Sequence, residues 1–245
     1  FKKFPLESIQ LPQVQADDLN DLPPYGKALA RSNAHKDLFK PRTLHEQILH
    51  LGGEKEWKYM VQSYLACINY VDAQIGRLLD ALKKNPRKRE TVIVLTSDHG
   101  WNLGEKTHWC KAAIWRNTTR VPFIVVLPGV SKAGLRNNQP ISHVDIYPSL
   151  CDFAGIPKPG HLEGRSILPL LKDPSATREV AFLSYGPENT AAQSERYRYL
   201  RYEDGSEELY DHKKDPHEWT NLIANEKYQA MIKKMRARVI GFQGE

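Results

Sequence analysis

A polar stretch, SDHGWNLGEKTHWCKAAIWRNTTR, brings Asp98, His99, Glu105, Lys106, His108 and Lys111 together between two apolar runs. Asp98 supplies a hard carboxylate, the ligand type that calcium or magnesium takes. His99 follows directly. Imidazole is softer than calcium prefers, so His99 reads either as a second ligand or as a hydrogen-bonding group for a bound anion. Lys111 carries a compact ammonium suited to stabilising developing negative charge. Trp101 and His108 are secondary candidates, an aromatic wall and a partner for a substrate hydroxyl or carboxylate, with packing roles equally open. Glu105 and Arg120 read as structural hydrogen-bonding groups, Arg120 bracing the entry to the next strand. Trp109 and Trp115 read as core.

The flanking elements must hold these side chains. Val92, Ile93, Val94 and Leu95 form a run too short for a helix and rich in β-branched residues, the pattern of a parallel strand covered on both faces. Val121 to Leu127 repeats it, entered through Pro122 and closed by Pro128-Gly129. In open α/β sheets ligands bind beyond the carboxyl ends of strands, where Asp98 and His99 fall. Residues 56–83 predict a helix whose apolar face runs from Met60 through Cys67, Val71 and Ile75 to Leu82. Gly76 within it implies a close contact, and Asn85-Pro86 ends it. The basic run around Arg87 complements the helix dipole. Asp145 is placed as an N-cap and Gly155 as the stop of a helix over IYPSLCDFA. His143 and Asp145 are assigned architectural roles. Beyond residue 175, Val180–Tyr185, Tyr197–Tyr202 and Glu207–Tyr210 read as short strands. Asp204-Gly205 is a hairpin signal, and a helix from 225 to about 241 follows.

The ordered set TSDHGWNLGE, HWCK and TTRVP, together with SEELYDHKKDPHEWTNL near the end, closely resembles the metal-dependent type I sulfatases of the alkaline-phosphatase superfamily. The iduronate-2-sulfatase-like branch and its bacterial relatives are the most similar. This resemblance implies an α/β fold: part of an alkaline-phosphatase-like, mostly parallel sheet flanked by helices, plus a small C-terminal antiparallel sheet with a helix. It implies three segments, an irregular arm over 1–42, the core over 43–174 and a small subdomain over 175–245. It also implies hydrolysis of sulfate esters of a sulfated carbohydrate, with Asp98 and His99 as ligands to calcium (magnesium second) and Lys111 gripping the sulfate. Trp101 would then wall the sugar pocket and His108 would bond the substrate. The family's nucleophile is a formylglycine made from Cys or Ser in a C-x-P-S-R-like motif. Cys67, Cys110 and Cys151 are followed by Ile-Asn-Tyr, Lys-Ala-Ala and Asp-Phe-Ala, so none begins that motif. The expectation is a C-terminal sulfatase portion, inactive alone, whose partner is the N-terminal half. An exported location is implied by the resemblance. Two rivals stay open: a phosphodiesterase or phosphonate hydrolase of the same superfamily, and a non-catalytic chain, processed or glycan-binding.

Composition narrows less. At 245 residues, 40% hydrophobic and 26% charged, the chain is ordinary for a globular protein. No run approaches the roughly 18 apolar residues of a membrane span. The net charge of +6 suits an anionic partner but accompanies no nucleic-acid-binding signature. Three widely spaced cysteines support neither a zinc site nor a disulfide framework. Cys67 and Cys151 read as buried small hydrophobes.

Overall fold

A computed structural model describes residues 1–32, 42–186 and 188–244. The chain opens with an arm that ends in α1 (Pro24–Arg31). Residues 33–41 of the expected irregular arm, Pro41 included, lie outside the described residues. Helix α2 (Leu44–Lys83) follows, started by a capping box in which Thr43 Oγ1 accepts from the Glu46 amide and the Glu46 carboxylate accepts from the Thr43 amide. It begins earlier than periodicity predicted because Gly52 and Gly53 break it, Gly53 at φ 60°. Two helical pieces therefore meet at a kink, and only the second carries the long apolar stripe.

Strand β1 (Ile93–Thr96) leads to the short hairpin β2 (Asn102–Leu103) and β3 (Trp109–Cys110). Then come α3 (Arg116–Thr119) and β4 (Phe123–Val126). The pairing corrects the sequence reading. β1 and β4 are antiparallel, with Ile93 opposite Val126 and Thr96 opposite Phe123, and no parallel pair occurs among the described residues. An apolar run without alternation reports burial, not strand direction, so the sequence had no means of choosing. The strands are also not covered on both faces, since Ile124 and Val126 are exposed.

Helix α4 (Ile146–Ala154) stops as expected at Gly155, at φ 66°, a conformation that a Cβ disfavours. Asp145 does not cap it through its side chain. Its carboxylate instead accepts from the Ser142 and Arg165 amides and from Arg178, an architectural role of another kind. Helix α5 (Leu168–Lys172) leads to a four-stranded antiparallel meander, β5 (Ala181–Tyr185), β6 (Asn189–Gln193), β7 (Tyr197–Arg201) and β8 (Glu207–Asp211). Strand β6 was not legible in the sequence. The β7–β8 hairpin turns at Asp204-Gly205 as predicted, and α6 (Gln229–Gln243) lays Ile232, Met235 and Val239 on the sheet at helical spacing.

One core cluster joins Leu22, Leu29 and Ala30 of the arm, Ile114 and Trp115 of the central loop, and Leu200, Tyr202 and Tyr210 of the meander. Cys151 is buried as predicted, whereas Cys67 is exposed, as are Ile68, Val71, Leu78 and Leu79 on the distal half of α2. Open space also surrounds the position a Cβ would take at Gly76. No helix among the described residues is long and apolar enough to cross a membrane.

Candidate functional site

The loop after β1 carries Asp98 into solvent, with His99 half-buried beside it, while its backbone is pinned from below. The Gly100 amide donates to the Thr118 carbonyl at 2.8 Å. A Cβ on Gly100 would stand 2.0 Å from the Asn117 carbonyl oxygen and 2.9 Å from that of Arg120, so only glycine permits this approach. His99 Nδ1 lies 2.8 Å from the Gly100 carbonyl, which can only accept, so Nδ1 carries the proton. The other nitrogen, Nε2, then faces Asp98 Oδ2 at 3.2 Å. In the neutral ring this sets a lone pair against a carboxylate oxygen, and a proton or a cation is needed to satisfy both.

That arrangement fits a metal ion in part. Two donors each about 2.4 Å from one calcium and roughly at right angles lie about 3.4 Å apart. The Asp98 side chain is 80% exposed, open to such an ion. Calcium takes six to eight ligands, and no group of three or more His, Cys, Asp or Glu suited to a metal occurs among the described residues. Two donors alone fall short of that number.

Trp101 stacks on His99 at 5.9 Å and on Tyr64 of α2 at 6.2 Å. It also lines an open cleft of about 410 Å³ together with Glu105, Asn117, Arg120, Val121 and Pro122. Glu105 has the structural bond expected of it, accepting from the Leu103 amide at 2.7 Å. Arg120 does not brace the strand. It is exposed and makes no side-chain hydrogen bond or ion pair among the described residues, leaving its guanidinium free at the cleft. Sequence reasoning missed that role.

Lys111 follows a strained loop. Lys106, Thr107 and Cys110 hold φ of 51°, 54° and 68°, values uncommon for residues with a Cβ. What holds them is a buried polar network. Lys106 Nζ donates to Asp18 Oδ1 at 2.7 Å and to the Glu218 carbonyl at 2.5 Å, with both ion-pair side chains only 4% exposed. Glu218 accepts from the Arg116 amide, and Arg198 donates to the Ile114 carbonyl and to Thr119. Trp115 donates to Glu208, whose carboxylate also accepts from the Tyr202 and Tyr210 hydroxyls. The arm and the meander thus clamp the loop from two sides. Lys111 itself is exposed, with no side-chain partner among the described residues.

His108 is not at the site. It is 1% exposed, its ring edge-on to Trp115 and its Nδ1 3.3 Å from the Ala30 carbonyl. Burial pushes its pKa down, favouring the neutral ring. The expected contact with a substrate hydroxyl or carboxylate is therefore replaced by a packing role. Trp109 and Trp115 are buried as predicted.

A sulfatase family profile matches residues 20–156, more than half the chain and including Asp98, His99 and Lys111. The chain belongs to the sulfatase family. A second profile, described as N-sulphoglucosamine sulphohydrolase, C-terminal, matches residues 104–245. A sulfatase of Formosa agariphila is 39% identical over 97% of this chain and 45% of its own length. Among solved structures, a 2-O GAG sulfatase matches with TM-score 0.78 and 24% identity over 96% of this chain and 53% of its own. A phosphonate monoester hydrolase from Silicibacter pomeroyi matches with TM-score 0.78 and 22% identity over 98% and 51%. The sulfatase chain thus spans about half the length of these relatives.

Proposed function

We propose that this chain is the C-terminal portion of a sulfatase that hydrolyses sulfate esters of a carbohydrate by a calcium and formylglycine mechanism, the nucleophile lying outside residues 1–245. The observation that carries the reading is the convergence of His99 Nε2 and Asp98 Oδ2 at 3.2 Å beyond the end of β1. Asp98 and His99 would hold calcium, or less favourably magnesium, and the bound ion would polarise the sulfate and orient the nucleophile. Lys111, exposed and without a side-chain partner among the described residues, would place its ammonium on the sulfate and on the oxygen of the departing alkoxide. Trp101, backed by His99 and Tyr64, would offer a flat apolar wall to a sugar ring. A carbohydrate substrate is supported by the sulfohydrolase profile over 104–245 and by the GAG sulfatase of the same fold. An exported location belongs to the same reading and follows from the sulfatase resemblance alone.

The test is an enzyme completed with an N-terminal sulfatase portion and assayed on paired aryl sulfate and aryl phosphonate substrates. Sulfate release should dominate, and Lys111→Ala should lower it by roughly a hundredfold or more. Near-normal turnover by the variant would remove Lys111 from the mechanism. Preferential phosphonate cleavage would instead support the second reading, which the equal structural likeness to a phosphonate monoester hydrolase keeps in view.

A further inference from the structure

A buried histidine on the first piece of α2 touches the hairpin that leads to Lys111. His45 meets Trp57 edge-on, with ring centroids 4.7 Å apart, and Trp109 at 6.3 Å. All three rings are buried, and Ile48 anchors the same helical turn beside Trp57 and Trp109. Trp109 Nε1 donates to His45 Nδ1 at 3.2 Å. An indole N–H can only donate, so Nδ1 must offer a lone pair, and the ring is neutral with its proton on Nε2. A second proton has one place to go. At Nδ1 it would set an N–H against the indole N–H, so this bond exists in one protonation state only.

What Trp109 holds is the approach to Lys111. Cys110 alone separates the two, at φ 68°, a conformation that turns the chain sharply as it leaves β3. Opposite Trp109 lies Leu103, whose carbonyl accepts from Trp57 Nε1 at 2.5 Å. Gly104 follows directly beneath the Trp57 ring, where a Cβ would stand 2.5 Å from Cζ2. Both strands of the β2–β3 hairpin are thus fastened to α2, one by Trp57 and the other through His45. The His45 tie has a hinge behind it. Helix α2 breaks at Gly52 and Gly53, and Gly53 takes φ 60° with ψ −142°, a region open essentially to glycine alone. The piece that carries His45 is therefore joined to the rest of α2 by backbone able to absorb a rotation.

We propose that His45 is a positioning residue for Lys111, holding it through Trp109, and that gain of a proton at Nδ1 releases the hold. The inference rests on the sulfatase reading for what Lys111 does, while the tie itself stands apart from that reading. With the ring neutral, Trp109 is fixed and Lys111 leaves β3 in one direction. In acid Trp109 loses its acceptor, the first piece of α2 turns outward about Gly53, and Lys111 loses its fixed direction. Among the described residues the charged group that acts on His45 is Glu46 of the same helix, and Arg31 at the end of α1 acts on Glu46 in turn. The rings facing His45 from the second piece of α2 and from β3, Trp57 and Trp109, carry no charge. Burial pushes the neighbouring Cys110 thiol up, which keeps it neutral. Burial also pushes the His45 pKa down, with Glu46 opposing it in part. A histidine depressed in the folded state stabilises the fold above its ordinary pKa and loses that contribution as pH falls from there toward the folded value. Release therefore belongs to the acid side of the ordinary histidine range.

The first measurement needs no substrate and no variant. In the isotope-labelled chain of 245 residues, NMR follows the Trp109 indole N–H and the His45 ring as pH is lowered. The two signals should move together with one midpoint. Separate midpoints, or an indole signal that stays still while His45 titrates, would overturn the proposal. His45→Asn keeps an acceptor oxygen near the Nδ1 position and takes no proton, so its indole signal should hold still over the same range. Movement like that of the parent would count against the tie. The second measurement uses the enzyme completed with an N-terminal sulfatase portion. There His45→Phe, which removes the acceptor, should lower kcat at neutral pH by about tenfold or more with KM little changed. His45→Asn should restore most of that loss and carry activity to lower pH than the parent. An unchanged kcat in the phenylalanine variant, or the same acid limb in the asparagine variant and the parent, would remove His45 from the positioning of Lys111. Shared titration in a completed enzyme that releases no sulfate would defeat the sulfatase reading and leave the His45–Trp109 tie standing.

Discussion

Glu218 gathers the partners that keep the lysine-bearing loop in place. It sits at φ 62°, is 2% exposed, and accepts from the Arg116 amide at 2.8 Å and from His212 at 2.7 Å, with Arg198 beside it at 3.6 Å. Burial pushes its pKa up, but the His212 hydrogen bond, Arg198 and the Arg116 amide outweigh that and hold it below the ordinary glutamate range. A carboxyl depressed in the folded state contributes stability that is present above its unfolded pKa and lost as pH falls through the folded one. The urea midpoint should therefore drop on acidification below the ordinary glutamate range, and Glu218→Gln should flatten that slope while costing about 3–5 kcal/mol at neutral pH. Glu208 has the opposite sign. Its burial outweighs the hydrogen bonds from Tyr210, Trp115 and Tyr202 and raises its pKa, so it adds nothing to the acid-side loss. Asp18 behaves likewise, burial prevailing over Lys106. Removing its charge still strands the Lys106 ammonium, so Asp18→Asn should cost about 3–5 kcal/mol, and adding Lys106→Met should recover much of it. Thermal unfolding of the single and double variants would measure both.

At the scale of elements, the loop after β1 depends on a missing side chain. Gly100→Ala would drive a methyl against the Asn117 and Arg120 carbonyl oxygens, backbone atoms that cannot rotate away. The expected loss is about 1–3 kcal/mol, read from denaturant unfolding, with Asp98 and His99 displaced from their present convergence. Which elements exist was mostly legible: the helical stripe of α2, the apolar runs of β1 and β4, the hairpin at Asp204-Gly205. How they pair was not. A continuous apolar run has no alternation to orient it, so burial alone suggests a parallel strand where β1 and β4 in fact pair antiparallel. Strand β6, NTAAQ, has little intrinsic β preference. It forms because strands on both sides take its hydrogen bonds, and its two alanines are small enough to lie buried at 1% and 0% exposure.

Across the whole molecule, the arm and the meander share a core. Leu22 is 3% exposed in the cluster with Leu200, Tyr202 and Tyr210. Leu22→Ala should cost about 2–5 kcal/mol, and amide exchange should quicken in β6 to β8 although the change lies far away in sequence. Stability lost without any effect on the meander would show that the arm is held elsewhere. By itself the sequence determined membership of the sulfatase family, the Asp98-His99 pair beyond a strand and the position of Lys111 after HWC, because those depend on residue types at fixed local spacing. Only the tertiary structure decided that His108 is buried beneath Ala30 while Arg120 opens onto the cleft, and that Lys106 is an internal tie rather than a surface charge. Exposure is set by what packs on a side chain. For Lys106 the decisive neighbour lies 112 residues away, beyond the reach of any local pattern.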